Sequence, residues 1–217
     1  MNTIKKYGKQ YIGVKNILKK YWRIYGGCNA LIGSPYLHLS LLLTAISSHY
    51  WIYTENWFDL PTSVLPNLIG FTLAGLAIFL SFGNDQYQNL ITGKFPDEDS
   101  NRNSPYLGFS VTFLHFVLVQ IVALLFALIT KSLQFPFPFG VEFYNNYFKY
   151  FVIAANGIGY WIFLYSICIG IAAVFSIFRL ICSFDEYATL ERERLLQIES
   201  ESNAKNISKN DDIKLKN

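Results

Sequence analysis

Two side chains in the apolar interior of this sequence stand out as able to do chemistry: His115 and, five residues on, Gln120. Both lie in YLGFSVTFLHFVLVQIVALLFALIT (Tyr106 to Thr130), which contains no charged residue. An imidazole can serve as general base, metal ligand or proton relay. Each role needs company: a nucleophile, further ligands or a chain of titratable groups. The sequence offers no HExxH, no nucleophile elbow and no paired carboxylates at membrane depth. A histidine in hydrocarbon still needs a hydrogen-bond partner. His115 is therefore read as interhelical glue, with Gln120, Asn67 or Ser81 as its expected partner and a proton relay as the rival reading. His38 and His49 lie near the ends of apolar runs and read as interfacial. Cys28, Cys168 and Cys182 have no metal spacing and read as small hydrophobes. No catalytic residue, metal or cofactor is expected.

A second pattern consists of small and weakly polar residues. Ser63, Asn67, Gly70, Ala74, Ala77, Ser81 and Asn84 recur at alternating spacings of four and three, with Thr72 and Gly75 off the stripe. Gly108, Thr112, His115, Val119, Ala123, Ala127 and Thr130 form a matching stripe, with Gln120 at its margin. Ala155, Gly159, Ser166, Gly170 and Ala173 form a third. Lipid tails are as apolar as leucine, so membrane helices gain most where small residues let backbones approach. Hydroxyls and backbone groups can also line a passive pore. The packing reading is preferred: three such stripes describe a compact bundle. Asp, Glu, Lys and Arg are missing between the span ends, which counts against ion-coupled transport. No inverted repeat is evident.

These patterns need helices that cross a bilayer. The chain has 217 residues, 52% hydrophobic, 18% aromatic and only 15% charged, against about 25% charged in a soluble domain. A spanning helix takes about 20 mostly apolar residues. Four segments qualify: about 35–53, 61–82, 106–130 and 150–181. The expected fold is all-α, a polytopic four-helix transmembrane bundle. Pro61 and Pro66 fall in the first turns of the second segment, where proline is tolerated. Sixteen of the 18 basic residues precede the first segment, lie between the second and third, or fall at or after the end of the fourth; only Lys131 and Lys149 lie on the other side. Cationic loops stay inside. Both termini are thus expected in the cytoplasm, with the protein in the plasma (inner) membrane.

Residues 1–27 read as a cytoplasmic basic amphipathic helix. Ile4, Tyr7, Tyr11, Val14, Leu18 and Tyr21 make one apolar face, among lysines suited to the inner headgroups. A partner-docking helix is the alternative. With no apolar core, this segment is not a cleavable signal. Gly26 and Gly27 should end the helix. The four segments occupy 28–182. Residues 183–199 continue the last helix into the cytosol as a charged extension, and 200–217 read as a disordered tail. Between the second and third segments, Asp97, Glu98 and Asp99 form an acidic tip, solvated or protein-docking. Tyr50, Trp51, Tyr53, Trp57 and Phe58 in the first outer loop, and QFPFPFGVEFYNNYF in the second, read as an aromatic lipid belt.

SPYLHLSLLLT, SVLPNLIGFTLAGLAIFLSFGNDQY and SPYLGFSVTFLHFVLVQIVALLFALI together resemble an uncharacterised bacterial family of small four-span integral membrane proteins, over about residues 20–190. That resemblance implies the fold and carries no activity. In size and layout the chain is also similar to the membrane subunit of the Kiwa phage-defence system. The reading that follows is a non-enzymatic anchor, sensor or scaffold for a cytosolic protein partner, self-associating in the bilayer, with a role in phage defence implied by that likeness. A passive oligomeric channel is the alternative. Direct nucleic-acid binding is not expected, since the membrane accounts for the basic residues.

Overall fold

The computed structural model describes residues 2–54, 56–81, 85–92, 104–133 and 149–214. The acidic tip at 97–99 and the aromatic outer loop at 134–148 lie outside them. The described residues are helical, without strands. The helices are α1 (Asn2–Tyr25), α2 (Gly27–Ile32), α3 (Pro35–Ile46), α4 (Ser48–Tyr53), α5 (Asp59–Ser81), α6 (Asp85–Ile91), α7 (Pro105–Ser132) and α8 (Lys149–Lys214).

Three of them, α5, α7 and the apolar part of α8, are long and apolar enough to cross a membrane. The first expected span is divided. α3 is apolar but only 12 residues long, about 18 Å at 1.5 Å per residue, short of a hydrocarbon core of about 30 Å. The chain breaks at Ser47 and resumes as α4. Beside the break the Trp51 indole N–H donates to the Thr44 carbonyl at 3.0 Å, which holds the two pieces together.

Local chemistry explains the other ends. α1 stops where Gly26 and Gly27 take positive φ of 102° and 67°, a left-handed turn that side chains resist. Pro105 opens α7, and the Ser104 hydroxyl caps it by accepting from the Leu107 N–H at 3.3 Å. α5 begins at Asp59, so Pro66 lies inside the helix instead of in its first turn and removes one backbone hydrogen bond. After Gly170 the sequence has no glycine or proline. α8 accordingly runs on to Lys214, through most of the segment expected to be disordered. Its polar residues are compatible with a helix.

α7 and α8 form the central pair. α5 packs mainly on α7, and α3 and α4 on α8. α3 and α5 share no more than a marginal contact, so within one chain the four expected spans form an open row instead of a closed bundle. The antiparallel α5–α7 pair is tied at one end by Lys131 Nζ and Asp59 Oδ1, 2.9 Å apart and half exposed, a pair worth about 1 kcal/mol at most.

The interior is largely aromatic. Trp57, Phe58, Tyr160 and Phe163 close one end around Ala123 and Ala127. Trp57 and Phe58, expected in the lipid belt, are core residues, 1% and 2% exposed: α7 and α8 offer small residues there for large rings to cover. Phe113, Phe116, Tyr165 and Ile169 fill the middle. At the other end Tyr87 of α6 is buried against Phe184 and Tyr187, and its hydroxyl lies 3.3 Å from Ser183 Oγ. That cluster clamps α8 where its polar extension begins.

Candidate functional site

The most concentrated polar arrangement lies around His115, on the inner face of α7 and 4% exposed. The last turns of α1 lean on α7 there. Tyr21 Oη lies 2.5 Å from His115 Nδ1, and Tyr165 Oη of α8 lies 3.2 Å from His115 Nε2. The Tyr25 ring stacks on the imidazole, centroids 4.0 Å apart and planes 22° from parallel. A neutral imidazole has one donor and one acceptor nitrogen, and a phenol can meet either. The chain Tyr21–His115–Tyr165 is therefore satisfied in either tautomer.

This set joins three elements, so it acts as a latch holding α1 to the α7–α8 pair. Burial, with Tyr25 adding, pushes the Tyr21 phenol up to about 12, and burial raises Tyr25 as well. Both phenols stay neutral near physiological pH. Neutral phenols beside an imidazole can hold a helix or relay a proton, but they do not activate a nucleophile. Among the described residues His115 has no carboxylate partner.

The expected partners of His115 are thus corrected. Gln120 pairs instead with Thr72 of α5, its side chain within 3.2 Å of Thr72 Oγ1. Asn67 and Ser81 are on the exposed side of α5. The reason is rotational. α5 turns Leu65, Thr72, Gly75, Leu76 and Phe79 toward α7, so Thr72 and Gly75, off the stripe, are the inward residues.

The remaining stripe residues divide sharply. On α5, Asn67, Gly70, Ala74, Ala77 and Ser81 are all exposed, and a Cβ on Gly70 would meet nothing within 4 Å. Within one chain that stripe does not pack, contrary to the expectation of a seam. On α7, His115, Ala123 and Ala127 are buried and Thr112 is half-buried, its hydroxyl donating to the Gly108 carbonyl at 3.0 Å. On α8, Gly159 and Ser166 are buried and Gly170 is half-buried. A Cβ on Gly159 would fall 2.3 Å from Phe126 and 2.6 Å from Trp57, so this glycine is required by close ring contact. Gly170 has open space. Ser166 donates to the Phe163 carbonyl of its own helix at 2.7 Å.

Sequence reasoning missed Tyr21, Tyr25 and Tyr165 as partners of His115. Tyr21 was visible on the apolar face of α1, but nothing local says that this face meets a helix instead of lipid. It also missed the Trp161 indole N–H, which donates to the buried Ser40 hydroxyl at 3.1 Å and ties α3 to α8. Trp57 Nε1 is buried without a partner among the described residues.

No family model matches the chain, and no curated protein and no solved structure matches it.

Proposed function

We propose that this chain is a non-enzymatic integral membrane protein that crosses the inner membrane four times, α3 and α4 together making the first pass, and that it presents α8 to a cytosolic protein partner as an anchor, sensor or scaffold. One observation carries the reading. α8 passes without interruption from apolar residues into a charged extension reaching Lys214. From Ile181 that extension measures about 50 Å at 1.5 Å per residue. Polar, and exposed along most of residues 189–202, it suits a surface offered to another protein. The split of basic residues supports placing both ends in the cytoplasm. The architectural likeness to the Kiwa membrane subunit supports a role in phage defence.

Self-association is part of the same proposal. An exposed stripe holding Asn67, Gly70, Ala74, Ala77 and Ser81 faces lipid in a single chain, where an amide lacks partners. A second copy would supply them. The same stripe favours the alternative, in which several copies surround a passive pore.

Two measurements test the proposal. A reporter active only outside the cytoplasm should be silent when fused at Asn217 and active when inserted after Gly140; the reverse pattern removes the threading. A cytosolic protein should co-purify stoichiometrically with the full chain in mild detergent and be lost on deletion of residues 188–217, with the shortened chain still in the membrane. Ion flux through liposomes holding the purified protein, with no co-purifying partner, would favour the pore.

A further inference from the structure

α1, α7 and α8 leave a cavity of about 350 Å³ between them, at the end of the bundle where α7 begins, a volume within the range of small-molecule sites. Its wall has two chemistries. Ile24 and Phe109 give it an apolar side, while Arg179 and the hydroxyls of Thr112 and Ser176 give it a polar one. Arg179 is exposed and has no carboxylate partner among the described residues. Thr112 and Ser176 donate to the Gly108 and Ala172 carbonyls of their own helices, at 3.0 and 2.8 Å. Those carbonyls already serve the helix ladder, so the hydroxyls are free to turn toward a ligand. Gly108 borders this space, and a Cβ there would meet nothing within 4 Å.

We infer that this cavity binds the phosphate of a phospholipid headgroup, with Arg179 pairing to the phosphate oxygens and the Ile24–Phe109 side receiving the adjoining hydrocarbon. A guanidinium presents parallel N–H donors that match two phosphate oxygens. An unpaired arginine where a span meets the headgroups gains from an anionic lipid. The apolar wall distinguishes a lipid from inorganic phosphate, which would leave that wall wet. α1 contributes Ile24, so the lipid would bridge the latched helix to the pair beneath it.

The lipid assignment rests on the threading proposed above, which the topology reporter tests without reference to lipid. The binding itself is tested on the full chain in mild detergent, exchanged with phosphatidylglycerol or phosphatidylcholine, the retained lipid being counted by native mass spectrometry. Phosphatidylglycerol should be retained over phosphatidylcholine. Arg179→Gln should lower its retention about fivefold, the contribution of one arginine at a membrane surface. Gly108→Leu, which fills the cavity without touching a charge, should lower it at least as much, with melting temperature unchanged. Lys19→Gln, on the exposed side of α1, should leave it alone. Retention unchanged in Gly108→Leu, or equal losses in Arg179→Gln and Lys19→Gln, would reduce the effect to surface charge and overturn the site. Inorganic phosphate alone raising the melting temperature as far as phosphatidylglycerol does would overturn the lipid assignment.

Discussion

Gly70 and Gly159 sit on stripes of the same kind, yet their surroundings are opposite. Gly159 of α8 lies under the Phe126 and Trp57 rings with no room for a methyl group, while Gly70 of α5 faces open space. The difference lies in what each helix has to offer across the interface. α7 and α8 present small residues at Ala123, Ala127 and Gly159, and large rings from α5's approach, α7 and α8 cover them. α5 meets α7 with its large side, Leu65, Leu76 and Phe79. Leu65 clusters with Ala123 and Ala127, while Phe79 packs on the Tyr106, Phe109 and Phe113 rings; a small side facing a small side would leave a gap unless backbones closed in. Once α5 has turned its large residues to α7, its small stripe is left for something outside the chain.

The largest effect that can break this contrast is at Gly159. Gly159→Ala forces aromatic rings to move, and overpacking of this kind costs about 1–3 kcal/mol. Gly70→Ala should cost nothing in a dispersed monomer. Denaturation in mixed micelles reads both; equal losses would put Gly70 in a packed interior and remove the contrast. Gly70→Leu and Ala74→Leu sharpen it further. They should leave the monomer's stability intact and abolish cross-linked oligomers, while Ile69→Leu keeps them.

A smaller effect attends the polar residues. His115→Leu removes both hydrogen bonds of the latch and should cost about 1 kcal/mol, the scale of such bonds in membranes, with α1 becoming open to trypsin at Lys19 and Lys20. Tyr21→Phe should expose those sites without altering the α7–α8 pair. His115→Gln keeps hydrogen-bonding capacity without ionising. If it protects α1 fully, the histidine is structural; a pH response lost while folding survives would point to a proton switch.

Gln120 and Asn67 repeat the comparison in amides. Gln120→Leu breaks the bond to Thr72 and leaves that hydroxyl with only the Leu68 carbonyl, at a cost of about 0.6 kcal/mol, the average for polar pairs in a membrane bundle. Asn67→Leu should leave the monomer unchanged or more stable in detergent. The reverse order would mean that α5 is rotated.

The last expected effect is alkaline. Tyr21 has its ordinary value of 10.0 when α1 is free and about 12 when docked. Raised on docking, it contributes stability that is complete below pH 10.0 and lost as pH rises through about 12. Trypsin protection at Lys19 and Lys20 should stay flat up to the lower value and fall between the two. Protection lost well below pH 10.0 would place its cause elsewhere than Tyr21.

Much of the fold is legible along the chain because each signal is local. Apolar length marks α5, α7 and α8; Gly26 and Gly27 end α1; Ser104 and Pro105 begin α7. His115 could be picked out as a buried histidine in need of partners, since a polar group in hydrocarbon is costly wherever the neighbours come from. Helical periodicity states which residues share a face, but not which way that face turns. That choice compares whole surfaces, and it went to the fit of α5's large residues against α7. It turned Thr72 inward and Asn67 outward, gave His115 to Tyr21 and Tyr165, placed Trp57 in the core, and left the row of helices open between α3 and α5. The sequence by itself determined the three long apolar helices, the end of α1 and the buried histidine that needed partners, because propensity, capping and hydropathy act within a few turns. Only the tertiary structure decided who those partners are, because interhelical contact depends on the rotation of each helix about its axis.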